Sequence, residues 1–322
     1  MTGKERVTAL IEGRRPDRVP LYGWVKANLT DEIAAAFGSV DAFEDKYGFD
    51  LSHIFSRATP YASEVIETAR ESLGRNLEPS DLLDLPMTDA GDLSFYDSVR
   101  SELRHHSIER NRFTYVQTPG VFEHHNGYFG FENHLAYLLL FPDEIRELYR
   151  RLTEWVAIYA SVCVDLGVDM IHVSDDWGSQ NSLLFSPEVF RDLVFPFHFE
   201  TVDHIHRLGV KASLHSDGNV NEALSGVVEI GYDVVHPYQE SAGMSFNTYL
   251  SGYADKFTIM GGIDIQRDLG FGDPDRAIRE IDRVLDICGD RGLILCTTHF
   301  VQNHCSIEEL VAVFDHISAT IT

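Results

Sequence analysis

His215, Asp217 and Cys296 are the residues whose types and placement best suit holding a metal. His215-Ser-Asp217-Gly-Asn219 follows the apolar run Val210-Lys-Ala-Ser-Leu. Side chains alternate along a strand, so residues two apart point to the same side. An imidazole and a carboxylate placed so can bind one divalent ion or work as an acid–base couple. A local role competes with both: Asp217 and Asn219 can cap the next helix while Gly218 turns the chain. Cys296 ends the run Gly292-Leu-Ile-Leu-Cys296, three residues before His299. Its thiolate would be a metal ligand, and His299 a ligand or proton donor. A cysteine on a strand is also a small buried hydrophobe. Asp175-Asp176-Trp177 ends the run Met170-Ile-His-Val-Ser174. Adjacent strand residues face opposite ways, so at most one of the two carboxylates turns into the site, and which one is open. In Gly261-Gly262-Ile-Asp264 the glycines permit close backbone approach. Asp264 then either acts on substrate or orients Gln266 or Arg267. His236 ends a fifth run, and Gln239 beside it lines the same mouth.

All these groups sit where an apolar run stops, and between the runs lie amphipathic segments of helical length. That is the rhythm of a repeated β-α unit. Strands are expected near residues 19, 51, 113, 170, 211, 233, 257 and 293. Eight strands alternating with helices make a (β/α)8 TIM barrel, whose strand C-terminal ends carry the chemistry. A doubly wound sheet is the weaker choice, because no GxGxxG follows any strand. Residues 58–110 break the rhythm with the strand-like pieces Thr88-Asp-Ala-Gly and Phe95-Tyr-Asp-Ser-Val. They read as an insertion over part of the barrel mouth, within a single domain covering 1–322. Residues 121–131 read as a loop rich in aromatics, Phe122, Tyr128 and Phe129 among them. It serves either as a substrate or cofactor wall or as a hydrophobic plug. Helices are expected over 131–140 and 142–166, the second opened by Pro142.

A chain of 322 residues that is 44% hydrophobic supports a sizeable core and one large α/β domain. With 51 acidic against 26 basic residues, the formal charge is −25, which argues against nucleic acid as a partner. No apolar run reaches the roughly 20 residues that span a bilayer. Neither a membrane partner nor a signal peptide is expected, and a cytoplasmic location follows. The four cysteines form no CxxC pair, so disulfides and zinc knuckles are not expected.

Pro16-Asp-Arg-Val-Pro20, Ser174-Asp-Asp-Trp-Gly-Ser-Gln180, Ser186-Pro-Glu, His215-Ser-Asp-Gly218, Gly261-Gly-Ile-Asp264 and Thr298-His299 occur in this order. In these pieces the chain resembles the uroporphyrinogen decarboxylase superfamily over nearly its whole length. The resemblance implies a TIM barrel and one of two chemistries. One branch removes carboxyl groups from uroporphyrinogen without a cofactor. The other uses zinc to move a methyl group between a corrinoid protein and a small acceptor. The decarboxylase branch carries an aspartate in an Ile-Phe-Ser-Asp run, whereas this chain has Ile54-Phe-Ser-Arg57. The methyltransferase branch holds zinc with a His-x-Cys pair and a distant cysteine. Here the pair is His215-x-Asp217, and Cys296 stands at the matching distance. Aspartate in place of cysteine makes the site harder and less electron-rich.

The resemblance therefore implies a zinc-dependent methyltransferase with His215, Asp217 and Cys296 as ligands. Asp175, Asp176, Asp264 and His299 would handle protons or orient the acceptor. Phe122, Tyr128, Phe129, Trp177 and Gln239 would line the substrate pocket. The methylcorrinoid would sit on a separate protein, since no Asp-x-His-x-x-Gly motif is present. Self-association as a homodimer stays open. The alternative is a metal-free carboxy-lyase in which Arg57, Arg18 and Lys26 hold carboxylates. A non-catalytic binding barrel is a third reading.

Overall fold

A computed structural model describes residues 1–289 and 291–321. Its strands are β1 (Leu51–Ile54), β2 (Phe113–Pro119), β3 (Met170–Ser174), β4 (Lys211–His215), β5 (Val234–Tyr238), β6 (Thr258–Ile263) and β7 (Leu293–Thr297). They are ordered β1-β2-β3-β4-β5-β6-β7 in one sheet. Strand pairs such as β3–β4 and β6–β7 are parallel. With helices between the strands, this is the α/β order of a TIM-like barrel. The chain divides into two compact units, one made of Met1–Ser52, His106–Thr114 and Asp233–Thr322, the other of His53–His105 and Tyr115–Tyr232.

In the first unit, β6 and β7 run in register, with Gly262 opposite Cys296. The helix Pro274–Cys288 covers them with a stripe of Ala277, Ile281, Val284 and Cys288, spaced three and four apart. The strand expected near residue 19 is instead a single parallel bridge between Leu21 and Leu295. Pro20 has no N–H to give a ladder, and the N–H of Leu21 goes to the Asp50 carboxylate, 2.8 Å away. Asp50 lies between two arginines. Arg6 Nη1 is 2.5 Å from its Oδ1, and Arg18 Nη1 is 2.8 Å from its Oδ2.

In the second unit, β2, β3 and β4 pair with Gln117 opposite His172 and Ser174 opposite His215. The strand-like pieces expected at 88–99 are not strands. Residues Leu93–Tyr96 form a 3-10 turn and Asp97–Leu103 a helix. Asp92 starts the turn by accepting from the N–H of Ser94 at 3.0 Å. The aromatic loop expected at 121–131 is also helical, over Val121–Phe129. The helices Phe131–Leu140 and Pro142–Asp165 are as expected, the longer one burying Leu148, Leu152, Trp155, Tyr159 and Cys163. After Ser186 the helix is interrupted by a π turn at Phe190–Val194 and resumes over Phe195–Arg207. Pro196 lacks the N–H that an unbroken α-helix needs there, and the widened turn accommodates the loss. No helix among the described residues is long and apolar enough to cross a membrane.

Candidate active site

The second unit answers which of the two adjacent aspartates is spent on structure. The Asp175 side chain is fully buried. Its Oδ1 accepts from the N–H groups of Phe122 at 2.9 Å and Glu123 at 2.5 Å. Its Oδ2 accepts from the indole N–H of Trp177 at 2.8 Å and lies 2.7 Å from His198 Nε2. His198 Nδ1 is in turn 2.6 Å from the Tyr232 hydroxyl. Every lone pair of Asp175 thus has a use. It caps the helix Val121–Phe129 from 53 residues away, because the residue before that helix is Gly120, which has no side chain to cap with. Glycine is required at 120: a β-carbon there would lie 2.1 Å from that of Asp175. Trp177 is buried against the same carboxylate, so it orients Asp175.

Asp176 turns the other way, toward β4. Its Oδ1 accepts from the Asp217 N–H at 2.7 Å and lies 3.9 Å from His215 Nε2. Asp217 Oδ1 is also 3.9 Å from His215 Nε2. One ligand atom from each of Asp176, His215 and Asp217 falls within 4.8 Å of the others. The group is electrostatically loaded. Burial, then the charge of Asp176, pushes the Asp217 carboxyl up to about 7. Burial likewise raises Asp176. The loops bearing the two aspartates are laced together. Asn219 N–H donates to Ser179 O at 2.7 Å. A β-carbon on Gly178 would lie 2.6 Å from Asn219 N, and one on Gly218 2.5 Å from Ser179 O. Behind His215, the His172 ring lies 5.7 Å away, its Nδ1 2.6 Å from Ser213 Oγ.

Glu123 was not among the expected site residues. It lies in the first turn of the Val121–Phe129 helix, and Ser174 Oγ donates to its Oε2 at 3.0 Å. Burial, then Asp176 and Asp175, pushes its carboxyl up to about 8. It lines a cleft of about 360 Å³ with Phe55, Gln117, Pro119, Tyr159 and Ser174. The sequence did hold a signal. Val121, His125 and Phe129 are spaced four apart and all are buried, which marks a helix with Glu123 in its first turn. Phe122 and Phe129, expected as pocket wall, are buried in the core; Phe122 stacks on His134 at 4.9 Å. Tyr128 is half-buried, its hydroxyl 2.7 Å from His124 Nε2. Arg57 is exposed and is not among the residues lining the cleft.

The first unit holds the other expected residues. Asp264 Oδ1 accepts from the Gln266 N–H at 2.7 Å and lies 3.5 Å from Gln239 Nε2. Cys296 is fully buried, and burial pushes its thiol well above the ordinary range. Burial lowers His299, which lies beside Trp24 with ring centroids 6.0 Å apart. Trp24 also packs at 4.6 Å on His236.

Residues 126–320, more than half of the chain, match the family model described as uroporphyrinogen decarboxylase (URO-D). No curated protein matches. Among solved structures, the chain is similar to a methyltransferase from Methanosarcina mazei, at 16% identity and a TM-score of 0.73 over 100% of both chains. It is also similar to a D-psicose 3-epimerase from Clostridium cellulolyticum H10, at 12% identity and a TM-score of 0.51 over 94% of this chain and 99% of that one. At such identities these likenesses are of fold. The family match is of sequence, and it spans the strand ends that carry Asp176, His215 and Asp217. By that match the chain belongs to the uroporphyrinogen decarboxylase family, a family of enzymes.

Proposed function

We propose that this chain is a metal-dependent methyltransferase that moves a methyl group between a corrinoid carried on a separate protein and a small acceptor. The observation that carries the proposal is the compact group of Asp176, His215 and Asp217 at the ends of β3 and β4. Two carboxylates and an imidazole suit a divalent ion such as zinc. The fit is also electrostatic. The raised carboxyls of Asp176 and Asp217 are charges crowded together under burial, and a cation relieves that crowding. A bound zinc would supply Lewis acidity that lowers the pKa of the acceptor. Asp176 is a third ligand beyond the expected pair, and Cys296 from the expected set is to be tested on its own. Asp175 and Trp177 hold the helix that carries Glu123, and Glu123 stands at the cleft to exchange a proton with the acceptor.

The fold likeness to a methyltransferase is consistent with this reading. Of the cations assigned to the carboxy-lyase alternative, the exposed Arg57 does not line the cleft and the other two are paired. Arg18 is bound to Asp50, and Lys26 lies 3.8 Å from Glu44.

Metal analysis of untagged protein, wild type beside His215→Ala, is the test. One zinc ion per chain, lost in the variant, is the expected result. Full zinc occupancy in Cys296→Ser would remove the thiol from the ligand set. Demethylation of methylcobalamin is then assayed with thiols and phenols as acceptors. A wild-type chain that takes up no metal even after zinc addition would sink the proposal.

A further inference from the structure

We propose that the cleft beside Glu123 takes a small organic cation, a primary amine in its ammonium form, with Glu123 as counter-ion. The inference deepens the reading above, since it rests on this cleft being the seat of the small substrate.

The lining speaks first. Phe55, Pro119 and Tyr159 form apolar walls, and Gln117, Ser174 and Glu123 supply polar groups. No lysine or arginine among the described residues lines it. Arg70, in the neighbouring hollow, is committed to the carbonyls of Gly127 and Tyr128. Phe55 is 50% exposed and packs on His53 with ring centroids 4.1 Å apart, giving the cleft an aromatic wall.

The usual device for binding an anion is also taken. A helix N-terminus offers free N–H groups to a carboxylate or phosphate. In the helix Val121–Phe129 the N–H groups of Phe122 and Glu123 already donate to Asp175. His124, which also lines the cleft, is no substitute. Burial, then the neighbouring His125, pushes its imidazole down to about 3, so it stays neutral. An anionic substrate would find no lysine or arginine among the described lining residues and would oppose the ionisation of Glu123, which a cation favours.

The charge balance points the same way. A divalent ion held by Asp176, Asp217 and a neutral His215 is compensated by the two carboxylates. Glu123 is then the carboxylate left over, and it faces the cleft. A single positive charge balances it, and an ammonium donates to it in a charge-assisted hydrogen bond.

The test uses the full chain after incubation with zinc and three probes with the same ring: benzylammonium, benzyl alcohol and benzoate. Binding is followed by ligand-observed NMR. Benzylammonium should bind about tenfold more tightly than benzyl alcohol, the worth of a hydrogen bond to a charged group. Benzoate should not bind. Glu123→Gln should bring benzylammonium down to the level of benzyl alcohol and leave the alcohol unchanged. Benzoate binding as well as benzylammonium, or a preference that survives Glu123→Gln, overturns the proposal. The wild-type series stands without the variant, whose melting temperature is recorded alongside. Metal content of the same samples separates the two readings. Zinc bound without a charge preference overturns the amine proposal alone. An ammonium preference in a chain that takes up no zinc overturns the metal reading alone.

Discussion

Asp50 is buried and Asp217 half-buried, and their neighbours differ in sign. Asp50 is held by the guanidinium groups of Arg6 and Arg18 and by the N–H of Leu21. Asp217 is pushed up to about 7 by burial and by a second carboxylate, Asp176. The first site is complete in itself and ties the bridge at Leu21 to the start of β1. The second sets two carboxylates around one imidazole, His215 Nε2 lying 3.9 Å from each, and it is the group on which the proposed metal site rests. A buried charge is therefore not evidence of function until its partners are counted.

The comparison is best broken at Asp50. Asp50→Asn leaves two arginines facing a neutral group and should destabilise the chain by about 3–5 kcal/mol in urea denaturation. A loss near zero would mean that the arginines find water and that the site is not closed. Asp175→Asn should come next, at about 1–3 kcal/mol, because an amide can present only one oxygen to donors that now share two. Its fluorescence should report the freed Trp177 indole, and an unchanged spectrum would count against the capping role.

Asp217→Asn should have the opposite sign. In metal-free protein at pH 8 it removes a repelled charge and should stabilise by about 0.5 kcal/mol, a modest figure because the side chain is about one-third exposed. The gain should shrink as pH falls through 7 and vanish at about pH 3, below the unfolded value of 3.8, where both states are protonated. The same physics gives the smallest effect, a slope. Glu123 moves from 4.5 to about 8. Between those values the folded chain keeps protons that the unfolded chain releases, so stability falls as pH rises through the window. Melting temperatures at pH 5, 7 and 9 should decline without zinc. With zinc the decline should flatten or reverse, since the ion competes with those protons. A flat metal-free profile would remove the contrast with Asp50.

Much of the strand framework is legible in the residues. Apolar runs ending in Asp175-Asp176 and His215-x-Asp217 mark strand ends, and β3 and β4 finish beside them. The segment at 19 misleads because its pattern is strand-like while Pro20 offers no donor and the Leu21 N–H goes to Asp50, so pairing is confined to the bridge with Leu295. The helix at 121 hides for a related reason. Its cap is a tertiary carboxylate, and no local cap stands at Gly120. Without that helix, Glu123 looks like one more acid in an aromatic loop. The division of labour between Asp175 and Asp176 is also beyond a pattern of residues, since it depends on Trp177, His198 and Gly120 converging from different elements.

The glycine lace between the two loops has a consequence for how such a site can be altered. Gly178 and Gly218 pass too close for any side chain, so neither loop can be lengthened or re-threaded without displacing the other. Substitution at 176, 215 or 217 changes a side chain without touching that close approach. A protein engineer could exploit that. If the proposed metal site holds, exchanging Asp217 for cysteine should make it softer on an unchanged frame, so a single codon would act as the dial for metal preference.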